Sequence, residues 1–281
     1  MQHTNRPRRD VRRVVFALAI LAAFGLLAAN GCPPQTIQET KLLASDGAAG
    51  DLLGASVSIS GDVAVVGAPG DETSGSAYVY RFDGTNWVEE AKLLASDGEA
   101  GDRFGGITDL EGGCTGVSVS GDIAVVGADG DDDNGSESGS AYVFRFDGTD
   151  WVEEAKLVAS DGAAGKRFGW SISVSGAVAV IGTRRAASAY VYRFDGMNWI
   201  EEAKLLVGGG GGNSGRVSIS GELIVMGDNR DDDNGDFSGS AYVYRFDGTS
   251  WVEQVKLLAS DGASGDYFGY SVSVSGAVVV V

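Results

Sequence analysis

The stretch SGSAYVYRFDGTNW, residues 74–87, decides the fold because it returns. It recurs as SGSAYVFRFDGTDW ending at Trp151, as SGSAYVYRFDGTSW ending at Trp251, and in the shorter form ASAYVYRFDGMNW ending at Trp199. Trp87, Trp151, Trp199 and Trp251 are spaced 64, 48 and 52 residues apart, and an earlier unit without its Trp joins the pattern at Lys41. Around the quoted words each unit reads W-V-E-E-A-K-L-L-A-S-D-G, then F-G, a Ser-rich segment, V-V-G-A and an acidic Gly-rich loop. A period near 50 residues points to propellers, solenoids or arrays.

Four strands can be placed in a unit. Residues 56–60 (SVSIS) alternate small polar with apolar side chains, the period of a strand. Gly61-Asp62 signals a tight turn, and residues 63–68 (VAVVGA) follow as a nearly continuous apolar run, fit for burial on both faces. Residues 77–82 (AYVYRF) put Tyr78, Tyr80 and Phe82 on one face, Asp83-Gly84 turns the chain, and residues 87–93 (WVEEAKL) run back. The charges Glu89, Glu90 and Lys92 suit a protected sheet edge. Helical periodicity is absent beyond the N-terminal segment. The expectation is an all-β chain, a β-propeller of four-stranded antiparallel blades. Four full blades and an incomplete fifth are predicted, in units starting near residues 36, 87, 151, 199 and 251. Repetition then has a packing cause: each blade buries its faces against its neighbours, so equivalent positions need equivalent side chains.

The front of the chain reads differently. Residues 6–13 (RPRRDVRR) hold five arginines and one aspartate, residues 14–29 carry no charge, and Asn30-Gly31-Cys32 follows. This is the pattern of a secretory signal peptide, and the apolar run is short for a membrane span of about 20 residues. An uncleaved anchor helix is the alternative. Ala29-Asn30-Gly31-Cys32 resembles the lipobox of bacterial lipoproteins, which implies lipidation at Cys32; ordinary cleavage would leave Cys32 free. The expected organisation is a leader over residues 1–31, a short linker over 32–36 and propeller repeats over 37–281. The expected location is outside the cytoplasm, as a membrane-anchored lipoprotein in the periplasm or on the cell surface, and otherwise secreted.

The whole chain carries a net charge of −18. Residues 1–31 hold 5 of the 21 basic and one of the 39 acidic side chains, which leaves 16 against 38 and a net charge of −22. Such a surface argues against nucleic acid, whose phosphates call for Lys and Arg, and against adsorption to anionic lipid. With Cys32 acylated, Cys114 has no partner, so this is no disulfide scaffold. The one histidine, His3, lies in the leader. That removes Ser-His-Asp and Cys-His catalysis and the usual zinc sites from the remainder. No G-x-S-x-G elbow and no phosphate-binding loop occurs. The four copies of the R-F-D-G arginine and aspartate read as packing, since an active site needs one constellation. A non-catalytic interaction or adhesion module, with a protein or glycan ligand, is the favoured class. A carbohydrate-binding or carbohydrate-active propeller, with its site in the irregular loops, is the alternative and rests on fold analogy.

Phe104-Gly105, Phe168-Gly169 and Phe268-Gly269, each followed by a Ser-rich strand and then Val-Val-Gly-Ala or a variant, resemble FG-GAP repeats. Those repeats build the integrin alpha-subunit β-propeller and occur in many bacterial surface proteins; the similarity covers residues 36–281. The first unit has Leu53-Gly54 in place of Phe-Gly, and the fourth replaces the element with residues 208–212, all glycine. Family members often bind calcium through a D-x-D-x-D-G loop between the two elements. Here that place holds short Ser-Gly-Asp, Ser-Gly-Glu or Ser-Gly-Ala turns, so the family's calcium site does not carry over.

Calcium has a second candidate place. Asp129, Asp131 and Asp133 lie in one Gly-flanked loop, and Asp231, Asp233 and Asp236 in another. Clustered carboxylates can supply the six to eight oxygens that calcium takes. The other reading is a solvated acidic loop rich in turn formers, because neither loop keeps EF-hand spacing. The repeat is broken at residues 106–116, which include Asp109, Glu111 and Cys114, at Arg184-Arg185, and at residues 208–212; a unique site is expected there if one exists. The sequence ends inside the second strand of the fifth unit, so the expectation is a truncated chain or a longer propeller of six or seven blades, with a five-bladed closure lacking one strand as the weaker alternative. Cys32→Ala is expected to abolish incorporation of labelled fatty acid in a bacterial host; unchanged labelling would refute the lipoprotein reading.

Overall fold

The computed structural model describes residues 39–106, 115–184, 188–207 and 215–281. The leader, Cys32, most of the second-unit insertion, Arg185 and the glycine run 208–212 lie outside the described residues. Leu43–Val281 forms one compact unit. No helix of the described residues is long and apolar enough to cross a membrane.

Within that unit the chain is a succession of four-stranded antiparallel sheets, each ordered as in the sequence. Blade 1 comprises β1 (Ser56–Ser60), β2 (Val63–Ala68), β3 (Ser76–Phe82) and β4 (Trp87–Leu93). Blade 2 comprises β5 (Val117–Ser120), β6 (Ile123–Ala128), β7 (Ser140–Phe146) and β8 (Trp151–Leu157). Blade 3 has β9 (Phe168–Ser175), β10 (Val178–Thr183), β11 (Ser188–Phe194) and β12 (Trp199–Leu206). Blade 4 has β13 (Arg216–Ser220), β14 (Leu223–Asp228), β15 (Ser240–Phe246) and β16 (Trp251–Leu257). A two-stranded sheet, β17 (Ser273–Ser275) with β18 (Val278–Val280), begins the fifth unit. The inner strands β1, β5, β9, β13 and β17 neighbour one another in chain order, the arrangement of propeller blades.

Successive blades are joined in three layers. Innermost is a serine ladder. Ser56 and Ser58 of β1 accept hydrogen bonds from the backbone N–H of Val117 and Val119 in β5, each at 3.0 Å. Ser118 accepts from Val174, Ser171 and Ser173 from Val217 and Ile219, and Ser218 from Val274. The small polar residues of the S-V-S-x-S pattern therefore supply acceptors that neighbouring inner strands need, since a buried amide without a partner is costly.

The middle layer is apolar. Val63, Val65, Ala77 and Val79 of blade 1 form one cluster with Val117, Val119, Tyr142 and Phe144 of blade 2. The next joint repeats it with Ile123, Val125, Ala141 and Val143 against Ile172, Val174, Tyr190 and Tyr192. Phe104 and Phe168 plug these joints edge-on, with ring centroids 5.5 Å from Tyr142 and Tyr190 respectively. The paired glycines follow from the same crowding. A Cβ on Gly67 would stand 1.8 Å from the Gly105 carbonyl oxygen, and Gly105 itself has φ +92°.

The outer layer explains R-F-D-G-T-x-W. Arg81 lies over the Phe146 ring of the next blade, Arg145 over Phe194 and Arg193 over Phe246, with centroid distances of 4.6, 4.6 and 4.7 Å. Each arginine is held by a glutamate of its own blade: Arg81 Nε donates to Glu90 at 2.7 Å and Arg145 Nε to Glu154 at 2.7 Å. Those glutamates also accept the next blade's indole N–H, from Trp151 at 2.9 Å and Trp199 at 2.8 Å. Glu90 and its equivalents can reach outward because each sits in a β-bulge, the register skipping between Val79↔Ala91 and Tyr80↔Glu89. The aspartate is local: Asp83 Oδ1 accepts from the N–H groups of Thr85 and Asn86, an Asx turn repeated at Asp147, Asp195 and Asp247.

Two substitutions separate the layers. Phe168→Ala, which empties a fully buried site, should cost about 3–5 kcal/mol. Ser171→Ala, which orphans the Val217 N–H, should cost about 1–3 kcal/mol. Denaturant unfolding at equilibrium measures both, and a neutral Ser171→Ala would contradict the ladder.

Candidate functional site

The acidic loops join the second to the third strand of a blade, where backbone from the next unit crosses them. In the β6–β7 loop, Asp131 is buried. Its Oδ2 accepts from the Ser140 hydroxyl at 2.9 Å and the Tyr142 hydroxyl at 3.2 Å, and its Oδ1 from the Asp133 N–H at 3.1 Å. The ammonium of Lys156, the lysine of W-V-E-E-A-K-L, lies 2.8 Å from Asp131, 2.6 Å from Asp133 and 2.7 Å from Asp97. It also sits over the Tyr142 ring, 5.3 Å from the centroid.

Other blades repeat this arrangement with variations. Lys92 meets Asp46, Asp71 and Glu72 at 2.7, 2.8 and 3.0 Å. Lys256 meets Asp231 at 2.6 Å and Asp233 at 2.7 Å. Lys204, whose blade has Thr183-Arg184 where the others are acidic, meets Asp161 at 2.7 Å. Burial alone would raise the Asp131 carboxyl, but hydrogen bonds from Lys156, the Asp133 N–H and Ser140 outweigh it and hold that carboxyl below the usual range. Burial likewise works against the Lys156 ammonium, and its carboxylate partners push it well above the ordinary lysine value.

The six aspartates expected from the sequence as calcium ligands therefore divide. Asp131 and Asp133 converge on Lys156, and Asp231 and Asp233 on Lys256. Asp129 is buried beside Arg103, whose Nε donates to it at 2.9 Å, with Arg167 beyond. Asp236 uses its backbone carbonyl to accept from the Gly265 N–H at 2.9 Å. Calcium takes six to eight oxygens at about 2.3–2.6 Å, whereas here an ammonium already stands among the carboxylates. The residues as placed fit lysine better than a divalent ion. Among the described residues, Asp46, Asp71 and Glu72 are the one acidic group close enough to share a metal, and these are the partners of Lys92. The sequence signal was present in the invariant lysine of each outer strand, but nothing local shows that it folds back onto these loops.

The same end of the blades carries a second arrangement that the repeat pattern concealed. Glu137 and Arg167 both hold left-handed backbone, with φ of +51° and +53°, and the Arg167 N–H donates to the Glu137 carbonyl at 3.0 Å. Their side chains pair with each other, and Arg103 joins Glu137 at 3.5 Å. One blade pair later the positions are Phe237 and Tyr267, with φ of +57° and +56° and the same backbone bond at 3.0 Å. Here the rings stack, 5.9 Å apart at 13°, and both are exposed. Arg230 lies over the Phe237 ring at 5.8 Å. Left-handed backbone at non-glycine residues costs about 1–3 kcal/mol each, and it persists here at equivalent places with unlike side chains. Nearby Asp228 is buried, its carboxyl raised by burial, with Oδ2 lacking a partner.

Comparison with known proteins agrees with this geometry. The FG-GAP repeat family matches residues 36–80, 87–144, 151–192, 199–244 and 251–281. The chain belongs to the FG-GAP repeat family. No curated protein matches it in sequence. Among solved structures, a functionally unknown protein from Desulfotomaculum acetoxidans is 10% identical with a TM-score of 0.50, over 80% of this chain and 62% of that one. Sqt1 of Chaetomium thermophilum, solved bound to the N-terminus of ribosomal protein L10, is 15% identical with a TM-score of 0.47, over 72% of this chain and 47% of Sqt1. A chain of the mitotic checkpoint complex is 15% identical with a TM-score of 0.46, over 87% and 63%. The FG-GAP chain thus spans less than two thirds of each of these structures.

Lys156→Met should destabilise the protein by about 2–3 kcal/mol, less than the ~3–5 of a fully buried pair, because the lysine side chain is 20% exposed. Since the Asp131 carboxyl is depressed, its contribution is complete above the unfolded value near 4 and is lost as pH falls through the folded one. The raised Lys156 contributes fully below the unfolded value of about 10.4 and loses that contribution at higher pH. Wild type should therefore lose stability towards both extremes more steeply than Lys156→Met. Its melting temperature should be the same in EDTA and in millimolar calcium; a rise with calcium would establish the metal reading.

Proposed function

We propose that this chain is an exported, lipid-anchored FG-GAP propeller that acts as an interaction or adhesion module outside the cytoplasm and does not catalyse. The observation that carries the reading is the shared left-handed frame at Glu137/Arg167 and Phe237/Tyr267, which presents an ion pair in one place and exposed stacked rings in another. A constant scaffold whose side chains vary from place to place, and are exposed at Phe237 and Tyr267, is the usual construction of a binding surface. The acidic composition favours a protein or glycan partner over nucleic acid. The basic and apolar leader over residues 1–31, followed directly by Cys32, supports export and anchoring in the periplasm or at the cell surface.

The stacked pair also favours a second reading, carbohydrate binding, because the C–H face of a sugar ring lies well against an exposed aromatic face. Immobilised full-length protein, probed with a panel of purified extracellular proteins and soluble polysaccharides, distinguishes the two. The main reading expects retention of a protein, weakened at least tenfold by Phe237→Ser/Tyr267→Ser with the melting temperature unchanged. Retention of polysaccharides alone would support the second reading. Release of new reducing ends from any polysaccharide would overturn the non-catalytic assignment.

A further inference from the structure

The joint between blades 3 and 4 is fastened differently from those before it. In blades 1, 2 and 3 the outer-strand lysine reaches the Ser-Asp-Gly segment that precedes its blade: Lys92 meets Asp46, Lys156 meets Asp97 and Lys204 meets Asp161, each at 2.7 Å. The serines of those segments, Ser45, Ser96 and Ser160, donate to Glu89, Glu153 and Glu201. Before blade 4, Gly208 and Gly209 stand in place of the serine and the aspartate, and no Phe-Gly element precedes β13. Lys256 accordingly meets two carboxylates of its own blade, Asp231 and Asp233. The outer latch is open as well. Among the described residues Trp251 Nε1 is buried without a partner, whereas Trp151 and Trp199 donate to a glutamate of the preceding blade.

The inner part of the same joint is closed. Ser171 and Ser173 accept from Val217 and Ile219 at 3.1 Å. Ile224 and Met226, fully buried, stand where blade 2 has the smaller Ala124 and Val126 beside Phe104, so larger side chains occupy a core that lacks the ring.

Asp228 lies at the loop end. Ala68, Ala128 and Thr183 end the second strands of the other blades, and Ala128 packs with Phe104 in the cluster between blades 1 and 2. Asp228 is 1% exposed. Its Oδ1 accepts the Arg230 N–H at 3.3 Å, and among the described residues its Oδ2 has no partner. Asp231 and Asp232 of its own loop repel the ionised form; Lys256 of the outer strand attracts it but is held by Asp231 and Asp233 at 2.6 and 2.7 Å. The second strand of blade 3 ends in Thr183 and Arg184, the latter laid over the Trp170 ring at 4.3 Å, and the fifth unit brings uncharged Gly269 against the Asp228 amide. A buried carboxylate so placed is tolerated neutral and costly when charged.

We propose that the loop end of this joint is a proton-operated seam: it is closed while Asp228 holds a proton and loosens when Asp228 ionises. Burial raises the Asp228 carboxyl above the ordinary range. Its stabilising contribution is therefore complete below the unfolded value of about 3.9 and is lost as pH rises through the folded one. The same loop carries Phe237, so the state of the seam passes to the surface assigned above to a partner; that consequence rests on the binding reading, and the seam itself does not.

The test is amide hydrogen exchange on full-length protein in mild detergent, over a pH series corrected for intrinsic exchange and with no partner present. Gly239, whose N–H donates to the Asp231 carbonyl at 2.9 Å, is compared with Gly139, which donates to the Asp131 carbonyl at 2.9 Å in blade 2. The Asp131 and Asp231 carboxyls are both depressed, so their titration cancels in the comparison. In wild type the protection of Gly239 relative to Gly139 should fall at least about tenfold as pH rises from acid to neutral. Asp228→Ala, which restores the residue of blades 1 and 2, and Asp228→Asn, which keeps the shape, should each hold the ratio constant. A constant ratio in wild type, or a fall that persists without an ionisable group at position 228, would overturn the proposal.

Discussion

Every part of this structure depends on one constraint: a blade cannot bury its faces by itself. Each sheet exposes a row of valines and alanines on one side and a row of aromatics on the other, and burial comes when the next blade arrives. The serine ladder, the apolar cluster and the outer Arg–Phe and Glu–Trp contacts are three solutions to that one requirement, arranged from the inner strands outward. Because the requirement is the same at every joint, the same side chains recur, and the stability of the array resembles a sum over units and their interfaces.

The repeats made the fold legible. Alternation in residues 56–60, the apolar run of 63–68 and the turn signals at Gly61-Asp62 and Asp83-Gly84 place the strands almost where they are, with β3 starting one residue earlier, at Ser76. Other features were not legible because they arise between units. Ser58 reads as the solvent side of a half-buried strand, yet its hydroxyl serves the amide of Val119, 61 positions along. Glu89 and Glu90 read as edge charges on opposite faces. The bulge instead gives Glu89 to Ser45 and sends Glu90 to its own blade's arginine and the next blade's tryptophan. Residues 208–212 remove the Phe-Gly element from the fourth unit, and Gly215 takes the glycine's place against Gly182, where a Cβ would come within 1.7 Å of its carbonyl oxygen.

The acidic loops show how the same ambiguity affects function. Sequence spacing gathers carboxylates and leaves their counter-charge open, whether a divalent ion or solvent. The fold supplies it from a strand some two dozen positions away, as Lys156 does for Asp131 and Asp133. A lysine held among carboxylates ties the loop to the outer strand of its own blade, so these loops read as fasteners. Variation is left to the neighbouring left-handed pairs. There Glu137 with Arg167 and Phe237 with Tyr267 keep one backbone geometry under different side chains, which is where a surface can differentiate without disturbing the joints.

Amide hydrogen exchange, read residue by residue in dilute solution, tests the central claim most directly. If the joints are what hold the molecule, the N–H groups of Val117, Val119, Val174, Val217 and Ile219, each bound to a serine of the preceding blade, should exchange at rates set by global unfolding. Val57 and Ile59, at the equivalent places of blade 1, are 47% and 38% exposed and should exchange orders of magnitude faster. Equal, rapid exchange at all seven positions would contradict the account, for it would mean that the blades stand without the ladder between them.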